Sequence, residues 1–79
     1  FENTKQAHEL FQKGQYKKAA TAFEEHLKNY SGDKQQEIEW YLALTYSTYD
    51  MERSRLLLYR ISKDKDHLFA RKAKGLLVK

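Results

Sequence analysis

The sequence predicts an all-α chain: two antiparallel helical hairpins followed by one closing helix. Three observations predict it. Proline is absent and glycine occurs only at 14, 32 and 75, so helix breakers are few and lie between amphipathic stretches or near the end. Apolar and aromatic residues recur three and four positions apart through most of the chain, the spacing of one helix face. The pattern also repeats. Ala7 and Leu10 are matched by Ala43 and Tyr46, and Tyr16 and Ala19 by Met51 and Ser54, an offset of about 35 residues.

Each element follows from its own residues. The first helix is expected over 3–13, with Ala7, Leu10 and Phe11 on one face and Asn3 or Thr4 as N-cap. Gly14 then stops one helix and allows the next to start. The second helix, 16–30, presents Tyr16, Ala19, Ala20, Phe23 and Leu27 on one side, and Ser31-Gly32-Asp33 ends it. The third, 34–49, carries Ile38, Trp40, Tyr41, Leu42, Leu44, Thr45, Tyr46 and Tyr49. These cover more than one stripe, so this helix is expected to pack on two sides. The Tyr49-Asp50-Met51 turn has no glycine, and Asp50 is placed to cap the fourth helix, 51–62, with Leu56, Leu57, Leu58 and Ile61 inside. A polar link, Lys63 to Asp66, leads to the fifth helix, 67–78. Asp66 is its expected N-cap, and Leu68, Phe69, Ala73, Leu76 and Leu77 form its apolar face.

The run from Lys13 to Leu27, with Gly14, Tyr16, Ala19, Ala20 and Phe23 in that order, resembles the turn and second helix of a tetratricopeptide repeat. The resemblance covers residues 3–62. Trp40 to Tyr46 looks like the first helix of a second repeat. There Asp50 replaces the turn glycine and Ser54 the usual alanine, and both repeats lack the family's proline after their second helix. The last helix resembles the capping helix of such arrays, with Arg71, Lys72, Lys74 and Lys79 supplying a polar outer side. The resemblance implies a short right-handed solenoid: hairpin 3–30, hairpin 34–62 and capping helix 67–78 in a single domain. The pattern is also similar to the C-terminal end of bacterial tetratricopeptide proteins, some of them membrane-tethered.

In that family the first helix of each repeat lines a concave groove that holds peptides or protein segments. The resemblance therefore implies a protein-interaction scaffold with a groove floored by Thr4, His8, Phe11 and Gln12, then Trp40, Leu44, Ser47 and Thr48. Phe11, Trp40 and Leu44 would anchor apolar groups, while His8, Gln12, Ser47 and Thr48 would hydrogen-bond an extended chain. Trp40 and Phe11 each have a second reading, as packing residues. The family's carboxylate clamp of Lys, Asn and Arg is not expected: only Lys5 and Asn3 are on offer, and nothing basic lies between Trp40 and Tyr49.

Composition narrows the remaining classes. Cysteine is absent, which excludes disulfides and cysteine-bound zinc and is compatible with cytoplasm or periplasm alike. His8, His26 and His67 lie on three different predicted helices without a second ligand at metal-binding spacing, so no metal or other cofactor is expected. No phosphate loop, nucleophile elbow or dinucleotide glycine pattern is present, and Glu24, Glu25, Glu37 and Glu39 read as surface carboxylates, with Glu24 placed to pair with Lys28. An enzyme is not expected. No apolar run reaches the ~20 residues of a membrane span. The chain opens at Phe1 without Met, which reads as a processed or trimmed product with room for an upstream leader or anchor.

The net charge of +4 is uneven: residues 51–79 hold nine basic groups against three acidic ones. Solvated helix faces account for this, and an anionic partner, nucleic acid or lipid, is the alternative. Aromatic stacking platforms among these cations are scarce, which argues against single-stranded nucleic acid. Self-association is a further alternative, since two repeats are few for independent stability.

Overall fold

The computed structural model describes residues 2–77, and the side chains from Lys5 onward. The chain is all-α. The described residues form α1 (Glu2–Gln12), α2 (Tyr16–Leu27), α3 (Gly32–Tyr46), α4 (Met51–Lys63) and α5 (Ala70–Leu77), with no strand. Each helix packs on the one that follows it, giving a slab of 30 × 27 × 16 Å. No helix among the described residues is long and apolar enough to cross a membrane.

The α1–α2 turn is the one the sequence announces. Gly14 sits at φ +81°, its N–H donates to the Phe11 carbonyl at 3.0 Å, and the Gln15 N–H reaches back to Leu10 at 2.9 Å. These two bonds form a Schellman motif, which requires a left-handed residue at that point. The α3–α4 turn works differently. Asp50 caps α4 with its side chain, accepting from the Arg53 N–H at 3.3 Å, as expected. Several boundaries shift. α1 is already helical from Glu2, ahead of both expected caps. α2 closes at Leu27, three residues early, and α3 opens at Gly32, whose φ of +65° lets the chain reverse there.

The core gathers Ala7 from α1, Ala19, Ala20 and Phe23 from α2, Ile38, Leu42 and Ala43 from α3, and Leu57, Leu58 and Ile61 from α4. Small side chains at 7, 19, 20, 43 and 54 let backbones approach closely. At one such point the buried Ser54 hydroxyl donates to the Ala43 carbonyl at 2.9 Å, tying α4 to α3. Leu56 is not part of this core. It is 64% exposed, because three consecutive leucines cannot share one face of a helix.

Glu24 is not paired with Lys28. It accepts a hydrogen bond from the Tyr46 hydroxyl across the α2–α3 seam, while Lys28 meets Glu25 at 3.4 Å. Burial, then the Glu24 carboxylate, pushes the Tyr46 hydroxyl up to about 12.

The last segment departs furthest from expectation. Residues 67–69 form turns, and α5 begins only at Ala70. Asp66 is not a helix cap: its N–H donates to the Asp64 side chain at 3.1 Å, so Asp64 makes the local turn. Three residues on α3 hold this segment. Gln36 accepts from the Leu68 N–H at 2.9 Å, Glu39 meets His67 Nε2 at 2.9 Å, and Trp40 stacks on Phe69 at 5.1 Å with an interplanar angle of 6°. Since His67 Nδ1 accepts from the Phe69 N–H, Nε2 carries a proton and donates to Glu39. Leu68 and Leu76 are exposed, so the apolar face of α5 reduces to Ala73 and Leu77, with Phe69 packed from the turn before it. Val78 and Lys79 lie outside the described residues.

Candidate functional site

A cleft of about 330 Å³ opens between α1 and α3, with α2 beneath it. It is lined by His8, Phe11 and Gln12 from α1, Phe23 from α2, and Tyr41, Leu44 and Thr45 from α3. Phe23 is buried and forms the floor. The His8 ring stands edge-on to both Phe23 at 5.2 Å and Tyr41 at 4.6 Å, and Phe23 and Tyr41 lie nearly parallel at 6.3 Å. Phe11 is braced from outside the cleft by Tyr16, at 5.2 Å. Aromatic faces fixed by each other lose little freedom when a ligand arrives.

The polar groups are few. Thr45 is fully buried, and its hydroxyl donates to the Tyr41 carbonyl at 2.7 Å. Gln12 is exposed at the rim. Burial lowers the pKa of His8 first, and nearby Lys34 lowers it further, with Glu37 opposing. His8 is therefore neutral at pH 7 and can donate from one ring nitrogen and accept at the other. An apolar aromatic cleft with a few polar groups at its edge is the usual form of a binding site for an apolar side chain.

Of the eight residues expected to floor a groove, the structure brings four together: His8, Phe11, Gln12 and Leu44. Trp40 is elsewhere, buried and stacked on Phe69 in the last segment, so it offers no anchor surface to the cleft. Ser47 and Thr48 lie in the turn after α3, where their hydroxyls donate to the Leu44 and Thr45 carbonyls at 2.5 and 2.6 Å. The side chain of Thr4 lies outside the described ones. Sequence reasoning missed Phe23, Tyr41 and Thr45. Tyr41, Leu44 and Thr45 share a face at i, i+3, i+4, but Trp40, Leu44 and Ser47 share one at i, i+4, i+7, so spacing alone did not single them out.

A larger cavity, about 570 Å³, lies between the end of α4 and α5 and is lined by Lys65, Arg71, Lys72 and Lys74 among others. It is more open and His67 is the only ring in its lining, so the smaller cleft is the better-built site. Among the described residues no three metal-ligating side chains converge. No protein-family model, no curated protein and no solved structure matches this chain.

Proposed function

We propose that the chain is a non-enzymatic protein-interaction scaffold of tetratricopeptide type. Its two hairpins stack as a short right-handed solenoid closed by α5, and the α1–α3 cleft takes an apolar side chain from an extended peptide or partner segment. The aromatic cleft carries this reading. Its walls come from the first helix of each hairpin and are braced before any ligand arrives. The paired small residues, Ala7 with Ala19 and Ala43 with Ser54, support a repeat at the same offset.

The test is selection of binding peptides from a displayed library, followed by Tyr41→Ala and Leu44→Ser. Peptide affinity should fall at least tenfold in both variants while helicity is retained, and it should change little between low and high salt. Peptides whose affinity ignores both changes would remove the cleft from consideration.

A second reading has one observation in its favour, the cavity walled by Lys65, Arg71, Lys72 and Lys74. An anionic partner held there would show binding that collapses as salt rises.

A further inference from the structure

Two large apolar side chains stand in water on the outer face of α4, among charged ones. Leu56 is 64% and Tyr59 55% exposed, and both border a shallow groove of about 450 Å³ reaching Leu77 on α5. At about 100° per residue, Glu52, Leu56, Tyr59 and Lys63 fall within one stripe roughly 60° wide, on the side opposite buried Ser54, Leu57 and Ile61. Along the helix the stripe reads acid, apolar, apolar, base.

That order is self-complementary. Its midpoint lies between residues 57 and 58. A second α4 laid antiparallel about a twofold axis through that midpoint gathers Leu56 and Tyr59 of both copies into one cluster. The same operation sets Glu52 opposite the second copy's Lys63 at each end, about 8 Å from the axis. Among the described residues, neither Glu52 nor Lys63 has an ion-pair partner of its own chain. The Lys63 ammonium lies over the Tyr59 ring, 5.0 Å from its centre, and so already sits along the stripe. Arg55, which also borders the groove, and Arg60 flank the stripe on opposite sides and are exposed.

We propose that this stripe is a homodimer interface in which α4 packs antiparallel on α4 of a second copy. One helix face with a border from α5 is a small contact, so the dimer is weak and reversible. The surface lies on a different helix from those that frame the α1–α3 cleft. Peptide binding and dimerisation therefore stand or fall separately.

Sedimentation equilibrium of the full chain from micromolar to millimolar concentration tests it. The mass should rise towards twice that of one chain. Glu52→Lys and Lys63→Glu should each weaken the dimer by roughly tenfold, since each puts like charges together at both ends. Combining the two substitutions restores opposite charges and should recover most of the affinity. All of these positions are exposed, and circular dichroism checks that the variants remain folded. A monomer up to millimolar concentration overturns the proposal. So does a dimer that ignores both single changes, or one that the double variant fails to restore.

Discussion

In the first hairpin a left-handed glycine makes the turn, and α2 starts without a side-chain cap. In the second, the turn has no glycine, and Asp50 caps α4. The helix crossings differ in the same way. Ala7 and Ala19 are both buried and their side chains carry no polar atom, whereas Ser54 adds a hydrogen bond to the Ala43 carbonyl. Asp50 and Ser54 are two of the positions where the second hairpin's sequence departs from the pattern it resembles, and each brings a hydrogen bond of its own. A helical hairpin can thus be held by backbone conformation in one case and by side-chain polarity in the other.

Substitutions can break this comparison in graded steps. The largest effect is expected at Phe23, which serves both the core and the cleft floor. Phe23→Ala should cost about 3–5 kcal/mol in chemical denaturation and also abolish peptide binding. The matching change in the second hairpin, Leu58→Ala, should cost about 2–4 kcal/mol and leave the cleft intact. Next comes Gly14→Ala. A Cβ there meets nothing within 4 Å, so the penalty is purely conformational, about 1–2 kcal/mol. Asp50→Ala, which removes the cap, should cost about 1 kcal/mol.

Ser54→Ala gives the second crossing the chemistry of the first. The Ala43 carbonyl keeps the Ser47 N–H at 3.1 Å, so no acceptor is orphaned and the loss should stay near 1 kcal/mol or below. A loss well above that would mean the hydroxyl, and not small size, holds the second crossing.

The remaining expectations concern pH dependence. The folded pKa of His8 lies below the ordinary value of 6.5. Its contribution to stability is therefore complete above pH 6.5 and fades as pH falls through the folded value. Denaturation midpoints measured between pH 5 and 8 should show this decline, and His8→Asn should flatten it. Tyr46 acts at the other extreme. Raised to about 12 from an unfolded value of 10, its contribution is complete below pH 10 and disappears as pH climbs through about 12.

The helices were legible because each carries its own periodicity, and Gly14 and Asp50 mark turns by local chemistry alone. The face of α3 was not legible. Its apolar residues run nearly all round, so spacing could not decide whether Trp40 or Tyr41 looked into the cleft. The start of α5 was hidden for a different reason. Turn 67–69 is held by Gln36, Glu39 and Trp40, residues some thirty positions away, and no local signal announces such a bond. Glu24 and Glu39 looked like surface carboxylates for the same cause: their partners, Tyr46 and His67, are distant in sequence.

The clasp on residues 67–69 also bears on the order in which the molecule assembles. Contacts between successive helices close short loops and form early, whereas the bonds from Gln36 and Glu39 close loops of 32 and 28 residues. They require α3 and α4 to be in place first. Folding is then expected to end with α5, and amide exchange in Ala70–Leu77 should be the fastest of the five helices, faster still once Glu39 is replaced by Ala.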